Sequence, residues 1–149
     1  MGKFIWSQWG RLMALTSGYW TLWGGLWGIF YRKFIWDFIG GKLGPVGIVP
    51  GPGSALFIDF IVKIPVIQLV CIAFGILTIL IEWPLFPSSF LYRSLIFKAT
   101  LYIHAALASA LIYQSLDAAL FYLISALAYV IGSFKKEKVG ERDTDDAKV

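Results

Sequence analysis

The sequence predicts an all-α integral membrane protein, a four-helix bundle with a Gly/Pro-rich loop between the first two spans. Three observations lead there. Hydrophobic residues make up 58% of the 149-residue chain and charged residues 15%, against about 45–50% and roughly 25% in soluble domains. The mean hydropathy is +0.73, and the apolar residues collect in four long runs. Aromatic and charged residues gather at the ends of those runs, where a bilayer would meet water. The spans are expected at about 13–31, 55–83, 90–114 and 118–134, which makes 1–134 one transmembrane domain and 135–149 a charged, disordered tail.

The first span carries the strongest pattern. Trp20, Trp23 and Trp27 fall at i, i+3 and i+7, on one face of a helix. Gly24 and Gly28 lie four apart, a spacing that lets a second helix approach closely in lipid. Glycine in a water-exposed helix costs roughly 1 kcal/mol relative to alanine, so a segment with Gly18, Gly24, Gly25 and Gly28 must recover that cost by packing. Residues 1–12 read as an amphipathic lead-in, with Trp6 and Trp9 at the interface. Arg32 and Lys33 end the run, and an aromatic segment containing Trp36 follows. Trp20, Trp23, Gly24, Trp27, Gly28 and Trp36 are therefore the candidate partner- or lipid-facing residues.

Gly40-Gly41 ends that segment, and glycine and proline dominate the loop 40–54. It lacks the spacing of a phosphate-binding loop, and no strand precedes it. In the second span, Asp59 and Lys63 stand at i and i+4, the orientation that favours a helix ion pair. Pro65 is placed to kink the helix, and Gln68 extends a polar face. Glu82 and Trp83 mark the far boundary, with Glu82 facing headgroups or paired with Arg93 or Lys98. The third and fourth spans have small-residue sides: Ala99, Ala105, Ala106, Ala108, Ser109, Ala110 and Ser125, Ala126, Ala128, Gly132. A short turn at Ser115–Asp117 predicts that they pair as an antiparallel hairpin.

Candidate chemistry is sparse. His104 is the only histidine and Cys71 the only cysteine, so zinc and haem ligand sets cannot be assembled from them, and no cofactor or metal is expected. No nucleophile stands beside a base and an orienting carboxylate. Sparse, scattered charge argues against a nucleic-acid partner. Asp59, Lys63, Gln68 and His104 remain as the intramembrane polar residues, functional candidates by location.

The opening stretch from Phe4 to Arg11, the stretch from Ser17 to Gly41 and the Gly/Pro loop after it resemble an uncharacterised family of small fungal four-span membrane proteins. That resemblance implies a four-span fold and a fungal source, and carries no activity with it. A fainter likeness, through Gly75–Glu82 and Tyr122–Gly132, is to small Golgi four-span proteins associated with COPI vesicles.

The expected function is a non-enzymatic accessory, scaffolding or regulatory subunit of a larger membrane complex, docked through its Trp/Gly-rich first helix. The implied source makes a transport complex such as an oligomeric proton pump one host. The partners expected are other integral membrane subunits and lipids, with homo-oligomerisation a further option. One alternative is a small transporter or channel using Asp59, Lys63, Gln68 and His104, which requires a polar cavity joining them. Another is a lipid-organising or trafficking tetraspan of the secretory pathway. Four spans put both termini on one side. Lys3, Arg11, Arg93, Lys98, Lys135, Lys136 and Lys138 against Arg32, Lys33, Lys42 and Lys63 then favour cytoplasmic termini. The expected location is the plasma membrane or a secretory-pathway membrane.

Overall fold

The computed structural model describes residues 4–32, 51–83 and 90–137. Among them the chain is all-helical. The elements are α1 (Trp6–Phe30), α2 (Pro52–Lys63), α3 (Val66–Glu82), α4 (Phe90–Arg93), α5 (Leu95–Ala110) and α6 (Leu116–Phe134), with a 3₁₀ turn at Tyr113–Ser115 before α6. Trp36, the aromatic segment around it, most of the Gly/Pro loop and the tail beyond 137 lie outside the described residues.

Small side chains set the packing. Every buried residue of α1 is Gly, Ala, Ser or Thr: Ser7, Gly10, Ala14, Ser17, Gly18, Thr21, Gly24, Gly25 and Gly28. With nothing larger on that face, α1 lies close against both α3 and α6, while α5 packs chiefly on α6. The directions alternate. Gly10 sits against Ala128 and Gly24 against Ser115, so α6 runs antiparallel to α1; Gly18 meets Thr78 and Gly25 meets Ile72, so α3 does too. Tyr102, Tyr122 and Tyr129 are fully or almost fully buried between α5 and α6 among Ala99, Ala105, Ala106, Ala119 and Ala126. Large apolar side chains point outward instead, including Trp20, Trp23, Leu26, Leu69, Ile76, Leu107, Leu120 and Leu127. Soluble domains place such residues inside.

Several boundaries differ from the sequence reading, each for a local reason. α1 begins at Trp6 and so absorbs the stretch read as a lead-in. The second run is not one helix, since α2 and α3 meet at 74°. The residue before a proline is driven out of the helical region, and Ile64 is extended at φ −123°, ψ 122°. The Val66 amide turns to Ile64 O at 2.7 Å, which releases the carbonyl of Val62. The last turn of α2, Asp59–Lys63, widens to a π-helix. In the third run Ser94 interrupts. Its backbone leaves the helix at φ −82°, ψ 106°, and its Oγ accepts from Phe97 N at 3.2 Å, an N-cap that starts α5 anew.

One described helix, Tyr113–Phe134, is long and apolar enough to cross a membrane, at a mean hydropathy of 1.7. The α2–α3 pair reaches the same standard only if the bent unit is taken as a single span. α1 has 25 residues, but tryptophan, tyrosine and glycine supply much of its composition, and these score low on a hydropathy scale.

Candidate functional site

The ends of the bundle are chemically different. At the end formed by the start of α1, the end of α3, the start of α5 and the end of α6, the chain buries a carboxylate and an ammonium. The Glu82 and Lys98 side chains are both 0% exposed, and Lys98 Nζ donates to Glu82 Oε2 at 2.8 Å. Neither charge is helped by its own helix. Glu82 closes the C-terminal end of α3, where a helix dipole disfavours an anion, and Lys98 lies in the first turn of α5, where it disfavours a cation. Their neighbours provide the compensation. Tyr129 Oη donates to Glu82 Oε1 at 2.7 Å, and Tyr102 Oη donates to the same oxygen. Arg11 Nε donates to the Glu82 backbone carbonyl at 3.0 Å. The ammonium of Lys98 also stands 4.8 Å from the ring centre of Tyr92 and 5.3 Å from that of Tyr129, within cation–π range.

Glu82 is thus gripped from α1, α5 and α6 at once. Both carboxylate oxygens and the ammonium are engaged, so the group is built to hold helices together. A general acid or nucleophile would instead present a free face to a substrate.

The same end contains a cap made in trans. Ile5, at the N-cap, supplies no capping side chain. Glu137 takes that place: Ser7 N donates to its Oε2 at 2.8 Å and Trp6 N to its Oε1 at 3.2 Å. A Schellman arrangement positions it. Lys136 is left-handed at φ 54°, and the Glu137 amide reaches back to Gly132 O at 3.0 Å. Lys135 Nζ lies 5.3 Å from the Trp6 ring centre. Glu137→Ala is expected to cost about 1 kcal/mol. It should also speed hydrogen exchange at the Trp6 and Ser7 amides while the middle of α1 is unaffected. Unchanged exchange there would show that the cap contributes nothing.

The interior between the ends is joined by single polar contacts. Ser125 Oγ donates to Gly10 O at 2.8 Å, Thr78 and Tyr122 share a hydrogen bond of 3.0 Å, and Thr21 and Ser109 one of 3.3 Å. At the other end Gln68 Nε2 donates to Ile61 O at 2.9 Å and to Gly28 O at 3.3 Å, and Gln114 Nε2 donates to Tyr31 O at 2.6 Å. The Oε1 atoms of both glutamines are buried without a partner among the described residues.

The residues singled out from the sequence are divided by this arrangement. Trp20, Trp23 and Trp27 are exposed, and Trp23 packs edge-on against Trp27 at 5.6 Å between ring centres. Gly24 and Gly28, expected to face a partner or lipid, are buried inside the chain's own bundle instead. A Cβ on Gly24 would lie 2.8 Å from Gln114 O, and one on Gly28 3.0 Å from Gln68 Cγ. Trp36 lies outside the described residues. Asp59 and Lys63 pair with each other at 2.9 Å, 49% and 73% exposed. Gln68 is buried at Gly28, whereas His104 is on the outside of α5, with Nδ1 2.8 Å from Thr100 O one turn back. Asp59–Lys63, Gln68 and His104 thus occupy separate places. Cys71 is buried. Among the described residues no group of three or more His, Cys, Asp or Glu side chains could hold a metal ion.

The sequence reading offers Lys98 as one of two basic partners for Glu82, and the structure has that pair. It misses that the pair is enclosed instead of facing headgroups, and that Arg11, Tyr102 and Tyr129 join it. The available signal was the i, i+4 pair Lys98 and Tyr102 on the alanine-lined side of α5, matched by Tyr122 and Tyr129 one heptad apart on α6.

These features define a class: a small helical bundle with a small-residue interior, large apolar side chains outside and a charged clamp at one end. The chain belongs to the family described as a domain of unknown function, DUF7727, whose model matches residues 1–137. No curated protein and no solved structure matches it.

Proposed function

We propose that the chain is a multi-pass membrane bundle and acts as a non-enzymatic accessory or scaffolding subunit of a larger membrane complex. α1, α3, α5 and α6 cross the bilayer, and the Glu82 end, with both termini, faces the cytoplasm. The observation that carries this reading is the division of α1 into two faces. Its buried face is made of small residues packed inside the bundle, and its outer face presents Trp20, Trp23, Trp27 and Phe30. In water, that much exposed aromatic and aliphatic surface would drive aggregation. In a bilayer it costs nothing, and an aromatic ridge offers rigid anchors to a neighbouring subunit. The docking element is thus the tryptophan ridge, without the glycines. Saturation of Glu82 and Lys98 by their neighbours supports a structural over a catalytic role.

The test is purification of the tagged full-length protein in a gentle detergent from its native membrane, followed by a native gel and mass spectrometry. Comigration with one larger membrane complex is expected. It should be lost on combining Trp20→Leu, Trp23→Leu and Trp27→Leu, changes confined to the outer face. Migration of the unaltered protein by itself would sink the subunit reading.

A further inference from the structure

We infer that α2 is an interfacial helix, lying in the headgroup layer of a bilayer at the end of the bundle opposite Glu82, with α3 alone as the span that follows it. The inference rests on the membrane reading above and adds which surface meets lipid headgroups. It starts from the bend of 74° between α2 and α3. Twelve residues of α2 extend about 18 Å at 1.5 Å per residue, so at that angle they advance only about 5 Å along the α3 axis. With α3 crossing the bilayer, all of α2 stays within one thin slab.

The side chains of α2 suit that slab. Leu56 and Phe57 are exposed, as are Val62 and Ile64 at the bend. Asp59 and Lys63 are also exposed and bonded to each other. The pair carries both signs and no net charge, which complements a headgroup layer holding both signs. Apolar residues beside a charged pair fit the boundary between headgroups and acyl chains, into which such helices sink about 5–10 Å.

Two further observations place the interface at this level. Arg32, at the end of α1, donates from Nη1 to the carbonyls of Val62 and Lys63, both at 3.1 Å, so a charged side chain fixes the bend from outside. Beneath it the Gln68 and Gln114 Oε1 atoms have no partner among the described residues, and such buried acceptors call for water. Two buried amide oxygens, a guanidinium and a paired acid and base gather at this end of the bundle, where α2 departs.

The experiment is site-directed spin labelling of the full-length protein in phosphatidylcholine vesicles, with Cys71 replaced by serine and single cysteines introduced at exposed positions. Leu56→Cys, Phe57→Cys, Asp59→Cys and Lys63→Cys report on α2, and Ile76→Cys and Leu77→Cys on α3. Collision with oxygen and with a water-soluble nickel chelate gives each label's depth. The expected result is deep labels at 76 and 77, and all four α2 labels within a band of about 5 Å near the headgroups, with those at 59 and 63 the more accessible to nickel. A depth that changes by about 1.5 Å per residue from 56 to 63 would mean a continuous span and overturn the inference. Full nickel accessibility along α2, with 76 and 77 still deep, would overturn it and leave the membrane reading standing. Nickel accessibility at 76 and 77 as well would overturn both.

Discussion

Lys98→Met is expected to destabilise the bundle by about 3–5 kcal/mol, the cost of leaving a buried charge without its partner. The Glu82 carboxylate would remain enclosed with two tyrosine donors and without its bonded ammonium. Tyr129→Phe removes one hydrogen bond to a charged acceptor and should cost less, about 1.5–3 kcal/mol. The informative variant is the pair Glu82→Leu with Lys98→Met. It contains no unpaired charge, so it should be less damaging than the sum of the two single changes. It should still fall short of the original stability, because Tyr102 and Tyr129 then have buried hydroxyls without their acceptor. The measurement is a double-mutant cycle from denaturation midpoints in one detergent. Additive effects would show that Glu82 and Lys98 do not act as a unit, and the clamp would have to be abandoned.

Gly75→Ala is expected to be the most disruptive single-methyl addition. Its Cβ would stand 2.8 Å from Leu22 N and 2.9 Å from Gly18 O. Both are backbone atoms of α1, so no rotamer change relieves the contact and the two helices must separate. Overpacking of this kind costs about 1–3 kcal/mol. Gly25→Ala, with Ile72 Cγ1 at 2.8 Å and Gln68 O at 3.0 Å, should behave similarly. Gly51→Ala is the control: nothing among the described residues lies within 4 Å of the added carbon, and a change within about 0.5 kcal/mol is expected. Thermal midpoints of the three variants check the order. Equal values for Gly75→Ala and Gly51→Ala would show that α1 and α3 are not in close contact.

The sequence made some of this legible because the signals were local. The periodic tryptophans and glycines of α1 announce a helix with two different faces, and the few residues between α5 and α6 leave little choice but a hairpin. Spacing could not say what the glycines face, since a pair four apart accommodates a helix of the same chain as readily as a foreign one. The π turn and bend of α2 were only half legible: Pro65 marks the place, but the side chain bonded to the bend is Arg32, thirty residues before Val62. Lys98 is legible as a partner for Glu82, but the enclosure of the pair and its tyrosines was hidden for a related reason. A glutamate followed by tryptophan and proline at the end of an apolar run has the form of a boundary, and its partners are 16 to 71 residues away. Local charge rules detect Asp59 and Lys63, the pair that stands largely in the open. They do not detect a carboxylate enclosed by three other helices.

The cap on α1 has a consequence for how the molecule is made. The amides of Trp6 and Ser7 are made well before the carboxylate that receives them, which is 130 to 131 residues later. At about 5–20 residues per second, the ribosome needs on the order of ten seconds to supply it. Through that interval the first turn of α1 is an open end, and Gly10 awaits Ser125 in the same way. α3, with its glycine seat for α1, emerges first. The nascent chain can therefore assemble α1 with α3 early, while closure of the Trp6 end is reserved for a chain translated as far as Glu137.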